Sequence, residues 1–236
     1  YPSATAWTEV TAPADVGLDA ALLDQARDHS KTNTSGDGGA GMIVRYGKVA
    51  YKWGNTATRY EVKSTTKSIG GIALLLALED AALNLSLTTL GSTKISSFGT
   101  PPANSDAERN AVTVEQLATH SAGFEKQDQN SDNDGDVTDE DDGAIDDPPG
   151  TAWRYSDAGL NWLADVLTVT FNADLNSLLT TEVFQPLDIT TNTLTWRTNA
   201  LREDTLPGSS GPLARRELAS GMNASVDAMA RIGLLF

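Results

Sequence analysis

The run Ile69-Gly-Gly-Ile-Ala-Leu-Leu-Leu-Ala-Leu78 carries no charged or polar side chain and stops at Glu79-Asp80. It is far too short to span a bilayer, so the chain must bury it as a core helix. Ser64-Thr65-Thr66-Lys67 stands at the entrance to that helix. One helical turn brings residues three apart onto one face, which sets the Lys67 amine beside the Ser64 hydroxyl. A serine hydroxyl is a poor nucleophile until a neighbouring base takes its proton. In the first turn of a helix, unpaired N–H groups and the positive end of the dipole also favour oxyanion character. A capping serine followed by a solvated lysine gives the same four letters, so the pattern alone is weak.

The 236 residues suffice for one large domain or two lobes, and two lobes are expected. Seventeen Lys and Arg stand against 32 Asp and Glu, a formal charge of −15. That balance argues against a nucleic-acid groove and against attraction to anionic lipid. Without cysteine there is no disulfide framework, thiolate zinc site or cysteine nucleophile. The sequence opens at Tyr1 with neither a methionine nor a basic-then-apolar leader, which suits a processed mature protein as well as a trimmed chain. A secreted or periplasmic location is the expectation.

Helical spacing recurs over Ala20 to His29, Ile69 to Leu83, Val114 to Thr119, Ala158 to Thr168, Leu175 to Val183 and Ser225 to Phe236. Met42 to Tyr46 and Val49 to Trp53 are rich in strand formers and flank Gly47-Lys48, which reads as a hairpin. Residues 1–62 therefore form an N-terminal helix and the first strands of an α/β lobe. Residues 63–223 form a mainly helical lobe, and 224–236 a helix returning to the first lobe.

A second cluster is the proline-led turn Pro148-Pro149-Gly150-Thr151-Ala152-Trp153-Arg154-Tyr155-Ser156-Asp157, which delivers a tyrosine just before a helix. Tyrosine there can be packing alone. A phenol held near an ammonium group, however, has its ionised form stabilised and serves as a general base. Ser64, Lys67 and Tyr155 together supply a nucleophile, a proton relay and a base or acid for acyl transfer.

These residues resemble the serine β-lactamase and penicillin-binding-protein superfamily, in the branch of class C β-lactamases, family VIII esterases and D-amino-acid peptidases and amidases. Ser64-Thr65-Thr66-Lys67 matches S-x-x-K, and Tyr155-Ser156-Asp157 falls where the family has Y-x-N. Thr113 to Phe124 resembles T-x-x-x-L-L-x-H-T-S-G-L, Phe184 to Thr190 resembles F-x-P-L-G-M, and Gly221 to Arg231 resembles G-L-x-S-T-A-x-D-L-A-R. The matches keep family order. The resemblance implies an α/β (α+β) fold, a β-lactamase-like sandwich lobe plus a helical lobe, with Ser64 at their junction. It also implies attack by Ser64, proton transfers shared by Lys67 and Tyr155, an oxyanion hole that includes the Ser64 N–H, and no cofactor for catalysis.

Three departures bear on function. Asp157 replaces an asparagine that contacts substrate in the family, so a substrate-binding role at Asp157 comes with a lost donor and poorer binding of acidic substrates. Ala122 replaces a serine in the H-T-S-G turn, where His120 reads as a hydrogen-bonded turn residue rather than a catalyst. The family's third motif, a cation followed by Ser or Thr and Gly on an edge strand, is not found after Tyr155. Ser209-Ser210-Gly211 lacks the cation. The C-terminal strands are thus expected to be missing from this chain and to come from a complementary C-terminal polypeptide.

From Asp128 to Asp147 there are ten acidic residues and no basic ones, and without them the net charge falls from −15 to −5. Within this insertion Asn130, Asp132, Asp134, Asp136 and Asp141 follow the spacing of an EF-hand calcium loop, with Gly135 at the sharp turn. A calcium-stapled loop near the mouth of the site is expected, against a bare solvated loop as the alternative. The leading function is a serine hydrolase that cleaves a small ester, amide or peptide, as a carboxylesterase or D-amidase. The alternatives are a β-lactamase, a non-catalytic β-lactam or peptidoglycan binder, and a calcium-dependent binding module.

Overall fold

The chain enters its first sheet through β1 (Thr8–Glu9) and α1 (Ala20–Thr32), then makes the hairpin of β2 (Gly41–Arg45) and β3 (Lys48–Trp53). In this computed structural model residues 6–32, 39–95, 98, 106–124, 145–200 and 205–236 are described. The hairpin turns at Tyr46 and Gly47, one residue earlier than the sequence places it. Both residues have positive φ, 53° and 71°, which is what a two-residue turn between right-twisted strands requires. Arg45 lies opposite Lys48 and Gly41 opposite Trp53, with a bulge between Ile43 and Val44. β1 runs parallel to β3, so the strand order is β1-β3-β2.

Two compact units result. One comprises Tyr1–Glu61, Thr180–Thr195 and Asn223–Phe236, and the other Val62–Leu179 and Trp196–Met222. The first thus takes in a segment, Thr180–Thr195, that lies within the span read from sequence as helical lobe.

In the first unit, β4 (Arg59–Glu61) pairs antiparallel with the end of a later strand, with Arg59 opposite Ser225 and Glu61 opposite Asn223. The Ser225 Oγ then accepts from Ala228 N at 3.1 Å and starts a terminal helix, Val226–Gly233. The sequence reads helix from Ser225 to Phe236; it begins one residue later and stops at Gly233. Its Arg231 is buried and bonds Asp227 at 2.9 Å and the Leu187 carbonyl at 3.1 Å. Arg231 also stacks over Trp7, whose Nε1 donates to Asp227 at 2.6 Å.

The second unit is built on the apolar run. It forms two helices, α2 (Thr65–Gly70) and α3 (Ile72–Glu79), rather than the single helix to Leu83 that the spacing suggests. The break falls at Gly71, and beyond Asp80 the chain makes only a 3-10 turn, Ala81–Leu83, in which Ala82 N donates to Asp80 Oδ1 at 2.9 Å. Gly70 is required because a Cβ there would meet Leu218 Cδ1 at 2.1 Å. α4 (Asp106–Asn110) and α5 (Val114–Ala118) follow, α5 opening on a reciprocal capping box between Thr113 and Gln116. α6 (Asp157–Phe171) packs against α3 and α5, and α7 (Leu175–Leu179) against α3 and α6.

The apolar core between them includes Ile72, Ala73, Ala77, Leu117, Leu163, Ala164, Leu167 and Leu175. Burying α6 on nearly every side also buries polar residues, Asp165 and Thr168 among them, and these two are paired. Asp165 meets Arg215 at 2.6 Å, and Thr168 Oγ1 donates to the Ala164 carbonyl. The strands β5 (Leu194–Trp196) and β6 (Met222–Ser225) complete a sheet in the order β4-β6-β5. The terminal helix Val226–Gly233 is α8, packed on β2. Among the described residues no helix is long and apolar enough to cross a membrane.

Candidate active site

All four residues singled out around Ser64 lie within the second unit, and the structure brings them together. Ser64 sits at the N-cap of α2, yet its hydroxyl makes no capping hydrogen bond. The first turn is instead closed by backbone bonds from Thr65 N to Val62 O, Thr66 N to Lys63 O and Lys67 N to Ser64 O. Lys63 enters this turn with φ 47°, and buried Thr66 ties it down by accepting from Met222 N at 3.1 Å. The Ser64 hydroxyl is therefore left to side chains. Tyr155 Oη donates to Ser64 Oγ at 2.6 Å, and Lys67 Nζ donates to the same oxygen at 3.2 Å.

Lys67 is not the solvated lysine that a chance match would present. Its side chain is 11% exposed, donates to the Ala219 carbonyl at 2.8 Å and lies 4.8 Å from the centre of the Tyr155 ring. Asp157, expected to face substrate, is buried, and its Oδ1 lies 2.5 Å from Lys67 Nζ. Oδ1 has no well-aligned hydrogen bond, so the contact with Lys67 is ionic. Two positions that the sequence does not single out act on the same amine. Asn161 Oδ1 accepts from Ala219 N at 3.2 Å, holding the residue whose carbonyl accepts from Lys67. Asp157 and Asn161 lie four apart on α6, the spacing that puts residues on one helix face. That spacing was the available signal; nothing in the sequence marks Ala219 as its target.

Tyr155 owes its position to the turn after α5. His120 takes φ 59°, and its carbonyl accepts from Arg154 N at 2.8 Å. His120 Nδ1 accepts from Ser156 N at 3.1 Å, and its ring stacks on Tyr155 with centroids 4.7 Å apart. This is the hydrogen-bonded turn histidine that the sequence suggests. Burial pushes the His120 imidazole below its ordinary pKa, and the nearby positive charge of Lys67 adds to the effect. Neutral imidazole with Nδ1 as acceptor is the form this geometry needs. Ser156 Oγ then accepts from Gly159 N to cap α6, so turn, tyrosine and helix start form one hydrogen-bonded unit. Trp153 stands beside it, 68% exposed, with its ring 5.9 Å from His120.

The calcium candidates Asn130, Asp132, Asp134, Asp136 and Asp141 lie outside the described residues. The two ends of their insertion meet at a bridge between Phe124 and Ile145. Asp147, also from the acidic segment, pairs with Arg154. Among the described residues no cluster of three or more His, Asp or Glu is arranged to hold a metal ion.

Chemically, Ser64 Oγ lies within reach of a phenol oxygen and an amine nitrogen, either of which can take its proton when it is itself deprotonated. Known proteins repeat this framework. The chain resembles in fold a β-lactamase from Mycobacterium bovis, with 20% identity, a TM-score of 0.54, and coverage of 82% of this chain and 53% of that one. A penicillin-binding protein homologue from Pyrococcus abyssi matches with 17% identity, a TM-score of 0.62, and coverage of 91% and 55%. A simvastatin synthase variant from Aspergillus terreus matches with 18% identity, a TM-score of 0.65, and coverage of 92% and 66%. The chain thus spans between about half and two thirds of the length of these structures. Comparison with curated protein sequences gives no match. The family model described as Beta-lactamase, however, matches residues 23–235, nearly the whole chain and every residue of the site described above. The mixed α/β fold and that match agree, and the chain belongs to the beta-lactamase family.

Proposed function

We propose that the chain carries the acyl-transfer centre of a serine hydrolase, cleaving an ester or amide bond through an acyl-enzyme on Ser64. The observation that carries this reading is the convergence of Tyr155 Oη, at 2.6 Å, and Lys67 Nζ, at 3.2 Å, on an otherwise uncommitted Ser64 Oγ. In the reaction, Ser64 Oγ adds to the substrate carbonyl while its proton passes to the Tyr155 and Lys67 pair. The same pair protonates the leaving alcohol or amine as its bond to the carbonyl carbon breaks. Water then adds to the acyl-enzyme, gives up one proton to the pair, and the pair returns a proton to Ser64 as the acid leaves.

The Ser64 N–H at the start of α2 serves as one oxyanion donor. A second donor, and a cation for the substrate, are assigned to an edge strand on a complementary polypeptide, since the corresponding motif is not found after Tyr155. Ester or amide hydrolysis is favoured over β-lactam hydrolysis because a buried carboxylate, Asp157, stands where the family places an amide.

The protein as its natural host makes it is expected to hydrolyse p-nitrophenyl butyrate faster than a chromogenic cephalosporin. Ser64→Ala in the same host should lower the ester rate by at least about a thousandfold. Cephalosporin turnover exceeding ester turnover would reassign the substrate, and an unaffected Ser64→Ala rate would remove the nucleophile.

A further inference from the structure

Asp157 is the buried acidic group that the reaction just described leaves without a task. It opens α6, is 4% exposed, and directs Oδ1 at Lys67 Nζ from 2.5 Å. The amine has two other acceptors around it, the Ala219 carbonyl at 2.8 Å and Ser64 Oγ at 3.2 Å. Both of these accept hydrogen bonds from the amine, whereas the Asp157 carboxylate meets it as an ion. A neutral amine would forgo the attraction of that carboxylate, and its lone pair could be met by one neighbour, the Ser64 hydroxyl proton. The enclosure is therefore built for the charged form. Asn161 reinforces it from the same face of α6 by holding Ala219.

We propose that Asp157 is the fixed counter-ion of Lys67, a positioning residue that keeps the amine as an ammonium against Ser64 and makes this corner of the site electrically neutral. The inference rests on the serine hydrolase reading and gives Asp157 a role other than substrate contact. Two consequences follow. Lys67 has no lone pair to offer, so the Ser64 proton passes to Tyr155 in its phenolate form, with Lys67 as an orienting donor. A substrate carboxylate or other anion also gains little from Lys67, whose charge Asp157 already offsets. Neutral esters and amides are the matching substrate class.

The groups that face Lys67 set the sign of the pH effect. They are Asp157 from α6, Tyr155 from the segment before it, and, from the turn after α5, His120, on which Lys67 acts at longer range. Asp157 is the acidic member of the set. Removing its negative charge favours the deprotonated form of whichever neighbour acts as base, so activity should develop at lower pH.

The test compares wild type, Asp157→Asn and Asp157→Ser as made by the natural host, using a neutral ester, p-nitrophenyl butyrate, and an anionic one, mono-p-nitrophenyl succinate. The rising limb of kcat/KM against pH should move down by about one unit in both variants. The anionic-to-neutral ratio of kcat/KM should rise about tenfold. A purely structural role would lower both rates together and leave the limb in place. An unmoved limb and an unchanged ratio in a folded variant would overturn the proposal. Two variants of different size keep the comparison alive if one does not fold. Ser64 is probed in parallel with a fluorophosphonate: labelling of wild type with no pH or charge response in the variants sinks only the role of Asp157. Absence of labelling in wild type sinks the hydrolase reading and this proposal with it.

Discussion

His120 shows how a single residue can serve chemistry without taking part in it. Its ring supports Tyr155 by stacking, its Nδ1 holds Ser156 N, and its carbonyl holds Arg154 N. The bond to Nδ1 depends on a neutral imidazole, which burial and Lys67 favour by lowering its pKa. As pH falls below the free histidine value of about 6.5, the unfolded chain takes up a proton before the folded one does. Stability from this group is therefore complete above that value and declines as pH drops through the folded value. Urea unfolding at about pH 7.5 and about pH 5.5 should show wild type losing more stability than His120→Asn, which keeps an acceptor but cannot titrate. Equal losses would place the pH dependence elsewhere. Ser64, Lys67, Tyr155 and His120 were legible from the sequence because each sits in a short local pattern. The pairing of Asp157 with Lys67 was not, since a motif position reports which residue is present and not which way its side chain points.

At the scale of elements, the apolar run explains both what was read correctly and what was missed. Its hydrophobicity called for a buried helix, and α3 is buried against α6 and α7. Where the helix breaks, at Gly71, is a backbone feature that no periodicity contains. The hairpin moved by one residue for a comparable reason, because the left-handed angles fall on Tyr46 and Gly47. Gly70→Ala should cost about 1–3 kcal/mol, since a methyl group must displace Leu218 from a packed core. Thermal or urea unfolding measures it, and the loss should be largely restored by pairing the change with Leu218→Ala. A Gly70→Ala protein as stable as wild type would mean that Leu218 does not seat there. Gly70 ends α2, the helix that Ser64 caps, so the destabilised variant should also lose ester turnover.

At the scale of the molecule, the site is assembled from segments far apart in the chain: α2, the turn at His120, the start of α6, and Ala219. Family order across residues 23–235 made the class of fold readable. The contribution of Ala219 and its support by Asn161 were not readable, because a backbone carbonyl carries no residue signature. The net charge of −15 rests largely on an insertion whose candidate calcium ligands lie outside the described residues. Everything converges on one oxygen atom. Treating the protein from its natural host with a fluorophosphonate, then mapping the adduct by peptide mass spectrometry, tests that convergence most directly. The account predicts a single phosphonyl group on the peptide containing Ser64, abolished in Ser64→Ala and slowed at least about a hundredfold in Tyr155→Phe. A protein that hydrolyses esters yet carries the adduct on another residue, or on none, would contradict it.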